Sequence, residues 1–324
     1  MDMDRFGEVQ IKRSVMKNIR NTRFSGCGKA GIGRNYARFF QDKNSLVVSE
    51  AAGANDGMGL VRTGFIKAYN NVRISGAVPV AVSDTILMPE RDEQTLKHMI
   101  MELSDMGEAY SVDVISGHTQ IVSAVTEPVM TFTMYGIFAG KFYMALKGKT
   151  NNGNKVAAGM DIVMSGNAGC LGSVQLAYEH RAGLYERYSR SYIDNIFKLE
   201  DMLVLKTEPD IAYECGAVYG YNVGSGGVYC ALWDMADSLN IGIDISHDHI
   251  PIVQETIEVC EFAGVNPYLI DGTGAALFIT NNGQILSDRL YEAGYEAAVI
   301  GKVTDGHDRT VSHDGERRFL TPRG

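Results

Sequence analysis

The sequence predicts a two-domain α/β (α+β) protein, and three observations lead to this prediction. Strand-like apolar segments alternate with helix-like segments in both halves of the chain, which is typical of mixed folds. The 324 residues exceed the usual size of one domain. The strongest loop signal, Asn151-Asn152-Gly153-Asn154, lies between the two halves. We therefore predict domains at 45–150 and 151–324, preceded by a basic, glycine-rich arm at 1–44 that we expect to be flexible.

The composition excludes several classes of protein. A hydrophobic content of 45% and a charged content of 21% are those of an ordinary soluble chain. The net charge of −9 argues against binding to nucleic acid. The five cysteines include no CxxC pair and predict free thiols in a reducing compartment. The N-terminus lacks the apolar core of a signal peptide, and no apolar run approaches the roughly 20 residues of a membrane span. We expect a cytoplasmic protein with no membrane partner.

The N-terminal half is predicted to contain four strands and two helices. The strand 45–49 ends at Glu50 and is followed by a small-residue loop that carries Asn55 and Asp56 and by helical spacing through 59–72. The strand 78–82 ends at Ser83 and Asp84 and precedes an amphipathic helix at 93–108. The strand 112–116 ends at Gly117-His118-Thr119-Gln120, and an antiparallel strand follows at 128–139.

The C-terminal half repeats one local pattern, a strand followed by a glycine loop and a helix. The first copy has Gly166, Gly169 and Gly172 in its loop, and the second has Gly224, Gly226 and Gly227. Between the two copies, residues 178–206 are charged and tyrosine-rich and predict one or two solvated helices. A later helix is expected to carry Pro251 in its first turn, and a polar hairpin closes the sequence.

Several polar residues follow apolar strands or lie in small-residue loops. Glu50, Asp56, Asp84 and His118 are of this kind, and Asn71 and Asn222 add neutral oxygens. Because Mg²⁺ takes oxygen ligands and commonly bridges substrate phosphates, such groups together suit a magnesium site. Each of them alone is as readily explained as a helix cap or a turn residue.

Two further patterns leave alternatives open. The loop Gly166–Gly172 precedes a helix, where backbone N–H groups hold phosphate, but it lacks a P-loop lysine and is as consistent with a plain tight turn. His247-Asp248-His249 has the residue types of a metal site. Zinc needs a third ligand that the sequence does not nominate, so these residues are predicted to be surface capping groups.

The order of the pieces from about Leu46 to Pro322 resembles the superfamily of aminoimidazole ribonucleotide synthetase (PurM) and the hydrogenase maturation factor HypE. Five segments carry the resemblance, and their order and spacing are more specific than any one of them. They are NNVRISGAVPVAVSD (70–84), VDVISGHTQI (112–121), MSGNAGCLGSVQLA (164–177), GSGGVYCALWDMADSLNIGIDI (224–245) and YEAAVIGKVT (295–304).

The resemblance implies a two-domain PurM-like fold, with an N-terminal ATP-binding-type domain and a C-terminal PurM-C-like domain. It also implies a homodimer that binds ATP and Mg²⁺ in a cleft near the dimer interface. The implied activity is ATP-dependent phosphorylation of an amide, carboxamide or acid oxygen on a small or protein-borne substrate. The residues implied are His118 and Asp84 in catalysis, Asn70, Asn71, Gly117, Thr119, Gly166, Gly169 and Gly172 for the cofactor, and Glu50, Asp56, Asp84 and Asn71 for the metal.

Three departures from the family pattern bear on activity. Asn71 is neutral where the family has an aspartate, and the segment around Asn222 lacks another carboxylate. The sequence ends FLTPRG where HypE proteins carry a cysteine, which argues against cyanide-ligand synthesis by that route. A purine-pathway cyclo-ligase would need Gly-Glu-Thr at 117–119, which is absent. The alternative to an activating enzyme is therefore a non-catalytic or regulatory nucleotide-binding protein.

Overall fold

Two β-sheets, each with helices packed on it, make up the described part of the chain. The structure is a computed structural model and describes residues 7–19, 31–41, 44–53, 58–138 and 156–321. Within these residues no helix is both long enough and apolar enough to span a membrane. The mixture of helices and sheets confirms the predicted α/β (α+β) class.

The first half forms a five-stranded sheet with two long helices on one face. Its elements are α1 (Glu8–Ser14), β1 (Ala37–Gln41), β2 (Asn44–Ala52), α2 (Leu60–Arg73), β3 (Val78–Met88), α3 (Glu93–Tyr110), β4 (Asp113–Ile121) and β5 (Val129–Ile137), with a 3₁₀ turn at Met16–Asn18. The strand order is β1-β2-β5-β3-β4. Only β3 and β4 pair in parallel, while the other neighbours are antiparallel.

The helices cover one face of this sheet because side chains alternate along each strand. In β3, the buried residues Val82, Ile86 and Met88 point toward the helices and alternate with less buried ones. They share a core with Phe65 of α2 and Leu103 of α3. In the described part of the chain no helix packs on the opposite face of the sheet, and we call it the open face.

The second half forms a seven-stranded sheet with strand order β12-β11-β8-β10-β6-β9-β7. Its elements are β6 (Asp161–Ser165), α4 (Cys170–Glu179), α5 (Arg181–Arg187), α6 (Arg190–Ile193), a 3₁₀ helix (Ile196–Met202), α7 (Glu208–Glu214), β7 (Tyr219–Asn222), α8 (Gly227–Leu239), β8 (Gly242–Ser246), a 3₁₀ turn (His247–His249), α9 (Gln254–Ala263), β9 (Ala276–Thr280), α10 (Gly283–Glu292), β10 (Ala297–Thr304), β11 (Arg309–His313) and β12 (Glu316–Phe319).

Helix α2 joins the two halves because it is buried on two sides. Phe65 faces the first sheet, whereas Ile66 packs in a cluster with Leu171 and Leu203 of the second half. Gly64 allows the close approach to the first sheet, since a Cβ there would lie 2.2 Å from the ring of Phe132. Exchanging this glycine for a larger residue would therefore separate α2 from its sheet.

Polar groups fix α2 to the second half as well. The side-chain amide of Asn70 is fully buried, donates to the Leu203 carbonyl oxygen at 2.7 Å and accepts from the Leu205 N–H at 2.9 Å. Arg73 donates to the Lys206 carbonyl oxygen and to the carboxylate of Asp210, each at 2.5 Å. These bonds hold the C-terminal turns of α2 in one position.

Some predicted boundaries differ from the structure. The strands expected to end before Ser83 and before Gly117 continue to Met88 and Ile121, because the ladder between β3 and β4 runs on through those residues. Pro251 precedes α9 by three residues and lies outside it.

Two segments are more ordered than their composition suggests. Residues 178–206 include the short helices α5 and α6 and a 3₁₀ helix, and they bury Leu184, Ile193 and Ile196 in the core instead of forming solvated helices. Part of the predicted arm is also structured. Strand β1 joins the first sheet, and Glu8 of α1 accepts a hydrogen bond from the Trp233 ring at 2.8 Å.

Candidate functional site

A cleft of about 380 Å³ lies where α2 and the end of β2 meet the loop after β7. This volume is within the range of small-molecule sites. The lining is mostly polar and comes from both halves of the chain. The lining residues are Asn35, Ala51, Ala52, Lys67, Asn71, Tyr221, Asn222, Gly224, Ser225, Ala231 and Thr273. Lys67 and Asn71 share one face of α2 because they are four residues apart on a helix.

Two amides that the sequence singles out separately meet in this cleft. The side-chain N–H of Asn222 donates to Oδ1 of Asn71 at 2.8 Å, although the residues are 151 positions apart. The backbone N–H of Asn222 donates to Oδ1 of Asn35 at 3.3 Å. Oδ1 of Asn222 is buried and has no hydrogen-bond partner within the residues the structure describes. A buried acceptor without a partner is costly, so it favours a ligand or water that donates to it.

Lys67 supplies the positive charge of the cleft. Its ammonium group lies 2.9 Å from a carboxylate oxygen of Asp271, and both side chains are largely buried. The other carboxylate oxygen of Asp271 accepts from the N–H and the hydroxyl of Thr273, at 3.0 and 2.7 Å. Burial alone would raise the pKa of Asp271, but the Lys67 charge and these hydrogen bonds outweigh it and hold the pKa below its usual value.

The second glycine loop, and not the first, borders the cleft. Gly224 and Ser225 line it, and α8 begins two residues later, at Gly227. The positive end of the α8 dipole therefore lies beside the cleft, an arrangement that favours anions. A Cβ at Gly224 would meet no atom within 4 Å, so this part of the loop is open to a ligand.

The first glycine loop has a packing role instead. A Cβ at Gly166, Gly169 or Gly172 would lie 2.7 to 2.8 Å from backbone atoms of the segment 267–274. Gly166 and Gly169 also have φ of +79° and +67°, which disfavours other residues. Of the two alternatives that the sequence leaves open for this loop, the structure favours the tight turn. The first turn of α4 is buried against that segment.

The remaining predicted residues are divided between the two faces of the first sheet. Glu50 pairs with Thr133 and points to the open face. His118 pairs with Thr85 on the same face, but β2 and β4 are three strand spacings apart, which is about 14 Å. Asp84 pairs with Gly117 on the helix-covered face, where Thr119 follows two residues later.

Asp84 and Gly117 are in close contact. A Cβ at Gly117 would lie 2.8 Å from the Asp84 carboxylate, so this glycine makes room for the charge. Burial raises the pKa of Asp84. In the described part of the chain, no cation offsets that burial.

The structure therefore brings together only part of the predicted site. Asn71 meets Asn222, and Asp84 meets Gly117. The predicted metal ligands Glu50, Asp84 and Asn71 do not converge within one chain, because Glu50 and Asp84 lie on opposite faces of the sheet. Asp56 lies outside the described residues. The Asn70 amide is fully buried and hydrogen-bonded to the backbone at 203–205, so it is out of reach of a cofactor in the cleft.

Sequence reasoning missed Lys67, Asp271, Ser225 and Thr273. The repeated strand, glycine loop and helix pattern was a signal that could have directed attention to Ser225. Nothing local marks Lys67, which is one of 30 basic residues, or Asp271, which reaches it only through the tertiary fold.

The cleft suits a nucleotide better than it suits a metal ion. It offers a cation, a helix N-terminus, amide groups and an unpaired acceptor. Within the described residues, no carboxylate lines it, so the cleft lacks the charged oxygen ligands that Mg²⁺ sites in proteins usually have. A bound Mg²⁺ would therefore depend chiefly on oxygens that the nucleotide brings.

The two sheets, joined through a shared helix and lining one polar cleft, define a two-sheet PurM-like α/β protein. Residues 45–138 match the family model of the AIR synthase related protein, N-terminal domain. The E. coli HypE structure matches with a TM-score of 0.70 at 20% identity, covering 86% of this chain and 85% of that one. The chain therefore has a PurM-like fold, and its residues 45–138 are similar to the N-terminal domain of AIR synthase related proteins.

Further relatives show the range of the likeness. A Methanocaldococcus jannaschii protein, named for hydrogenase expression/formation, is 26% identical over 250 residues, which is 75% of this chain and 69% of that protein. A HypE structure in complex with ATP has a TM-score of 0.67 at 18% identity and covers 98% of this chain and 94% of that one. A ThiL structure complexed with AMPPCP and TMP has a TM-score of 0.69 at 18% identity, with coverages of 98% and 96%.

Proposed function

We propose that this protein binds ATP in the cleft between α2 and the Gly224 loop. The observation that carries the proposal is the meeting of Lys67 with the unpaired, buried Oδ1 of Asn222 in one cavity. The fold adds support, because structural neighbours of similar size were determined with ATP and with AMPPCP. An adenine amino group is a donor of the kind that Asn222 lacks.

The residues of the cleft would each have a different role in binding the nucleotide. Lys67 would donate a hydrogen bond to a phosphate while it stays paired with Asp271, and the N-terminus of α8 adds partial positive charge. Asn71 and Asn222 hold each other in place and orient the free acceptor. Mg²⁺, when bound with the nucleotide, would supply further charge neutralisation at the phosphates.

The finer proposal is that the protein transfers phosphate from ATP to an amide, carboxamide or acid oxygen of a small or protein-borne substrate. Such transfer depends mostly on positioning and charge neutralisation. Asp84 and His118 are the proposed catalytic side chains, with Gly117 and Thr119 beside them. In one chain His118 lies on the open face, so its part in this chemistry requires a second copy.

The open face supports a homodimer. Leu46, Ile137 and Val78 are directly paired across three strands and are all exposed. A row of exposed apolar residues on an uncovered sheet is typical of an interface. A second sheet packed on this face would bring the partner's Glu50 and His118 toward this chain's own. A measured mass of one chain in light scattering at micromolar concentration would contradict the proposal.

A second candidate function is nucleotide binding without catalysis. The absence of a carboxylate among the described lining residues favours it, because phosphoryl transfer normally needs acidic groups to place the metal. The two candidates differ in whether ATP is consumed.

The test is calorimetric titration of the full chain with ATP in the presence and absence of Mg²⁺. Gly224→Val should lower the affinity at least about tenfold with little change in the melting temperature, because a Cβ at this position meets no atom within 4 Å. Lys302→Met is the matched control, since Lys302 pairs with Asp161 away from the cleft. Absence of binding by the wild type, or equal affinity in Gly224→Val, would refute the proposal. ADP release with amide or acid substrates would then separate the two candidates.

The remaining predictions about organisation also stay proposals. We propose that domains 45–150 and 151–324 contain the two sheets, with β1 of the predicted arm added to the first sheet and the boundary in the stretch 139–155 that the structure does not describe. Cleavage there in limited proteolysis, with both fragments stable, would support that division. A cytoplasmic location is consistent with the free thiols of Cys170, Cys215 and Cys260.

A further inference from the structure

Strands β8 and β11 run side by side in parallel and place two histidines next to each other. Ser246 pairs with Ser312 at the end of this ladder, so the following residues, His247 and His313, lie at the same edge of the sheet. Their rings are 4.7 Å apart and nearly perpendicular. His313 reaches the His247-Asp248 pair from the end of β11, so the sequence around the pair does not indicate this third partner.

A carboxylate completes the cluster. Nδ1 of His313 lies 2.5 Å from Oδ1 of Asp248. Potential ligand atoms of His247, Asp248 and His313 all lie within 4.8 Å of one another. Ligand atoms around tetrahedral zinc are about 3.3 Å apart for bonds of about 2.0 Å. The side chains of His313 and Asp248 are exposed. Rotation of these side chains can therefore shorten the longest distances between the ligand atoms, of up to 4.8 Å, to those of a zinc site.

The surroundings already orient His247. The hydroxyl oxygen of Tyr229 lies 2.6 Å from Nδ1 of His247. The ring of Tyr268 packs 4.5 Å from the His247 ring and stacks on Tyr229. Because Nδ1 of His247 is hydrogen-bonded to the Tyr229 hydroxyl, Nε2 is the ring nitrogen available to bind a metal ion. A hydrogen bond to the second ring nitrogen is the usual support of a metal-binding histidine.

We propose that His247, Asp248 and His313 form a binding site for a divalent transition metal ion of the Zn²⁺ class. Two imidazoles and one carboxylate suit such an ion, whereas Mg²⁺ prefers oxygen ligands. Three protein ligands leave a fourth position for water or for a group from a partner. Tyr229 acts as a positioning residue that holds His247. The proposal does not depend on the ATP cleft, whose lining includes none of these residues.

The test is titration of the tag-free full chain with ZnCl₂ in a buffer that does not bind metals. One Zn²⁺ should bind per chain, and Co²⁺ should give the absorption spectrum of a low-coordinate site with nitrogen ligands. His247→Ala and His313→Ala should each weaken binding by at least about tenfold. Tyr229→Phe should also weaken it while keeping the one-to-one stoichiometry. An excess of Mg²⁺ should not compete.

The matched controls are His249→Ala and His307→Ala. His249 belongs to the same 3₁₀ turn and His307 to the same end of the chain, but neither is in the cluster. Melting curves without metal show that each variant is folded, and added Zn²⁺ should raise the melting temperature of the wild type and controls only. Binding that survives in both His247→Ala and His313→Ala, or no stoichiometric binding by the wild type, would overturn the proposal.

Discussion

The pair Lys67–Asp271 should be strongly coupled, and Lys67→Met tests this. The two charged atoms are 2.9 Å apart, and the side chains are only 18% and 11% exposed. At an effective dielectric constant of 20, Coulomb's law gives about 6 kcal/mol for that separation. Much of this offsets the desolvation of both groups. Removing one partner of a buried pair typically costs about 3–5 kcal/mol, because the other charge stays buried.

The loss of stability caused by Lys67→Met should depend on pH. In the wild type the lowered pKa of Asp271 stabilises the fold above the ordinary carboxyl pKa, and this stability is lost only as the pH falls through the lowered value. In Lys67→Met, burial is no longer opposed by the lysine charge, so the pKa of Asp271 should rise. Protonation then relieves the unpaired charge at acidic pH. The destabilisation should therefore be largest at pH 7 and smaller near pH 4.

The assay is urea unfolding at both pH values, followed by circular dichroism and by fluorescence of Trp233, the single tryptophan. A double-mutant cycle with Asp271→Asn isolates the coupling. The added asparagine still accepts the bonds from Thr273, so the double variant should recover most of the lost stability. A cost below about 1 kcal/mol at pH 7 would place the pair among surface ion pairs. That result, or a double variant no more stable than Lys67→Met, would refute the reasoning.

Three other predictions concern buried polar groups. Asn70→Ala should cost about 2–4 kcal/mol, because it leaves two buried backbone groups without partners, and hydrogen exchange should speed up at the Leu205 amide, which donates to Asn70. Unchanged exchange there would contradict the role given to Asn70. Asp84→Asn should stabilise the protein at pH 7, because burial raises the pKa of Asp84 and its charged form is disfavoured in the fold. This gain should vanish below the ordinary carboxyl pKa, and a loss of stability at pH 7 in urea unfolding would be inconsistent with it. Burial raises the pKa of Cys170 to about 11 and of Cys260 to about 12, so both thiols should resist iodoacetamide at pH 8 until urea is added, and mass spectrometry of peptides from the folded chain reads this out.

The order of strands and helices could be predicted because it depends on local periodicity. Strand β2, helix α3 and both strand, loop and helix units occur where the pattern of apolar residues places them. Strand ends could not be predicted. The residues Thr85–Leu87 stay in β3 because they have partners on both sides in the sheet, which no local pattern records.

The candidate site was harder to predict than the fold. Asn71 and Asn222 were recognised as related polar positions, but their hydrogen bond depends on how the two halves meet. Asn70, the immediate neighbour of Asn71, points to a different part of the structure, since successive residues on a helix face directions about 100° apart. His313 was passed over because its partners are 65 residues away. In each case the deciding contact is long-range.

Helix α2 limits how the residues lining such a cleft can change during evolution. Its apolar side chains pack in two cores, and its polar side chains Asn70 and Arg73 are hydrogen-bonded to the backbone at 203–206. A substitution in this helix therefore disturbs the folding of both halves. Gly224 differs, since its backbone is hydrogen-bonded to Gly272 and Gly227 but a Cβ added at this position would meet no atom within 4 Å. New ligand preferences in proteins of this architecture are therefore expected to arise through the loop wall, while the helix wall keeps the same lysine and asparagine in place.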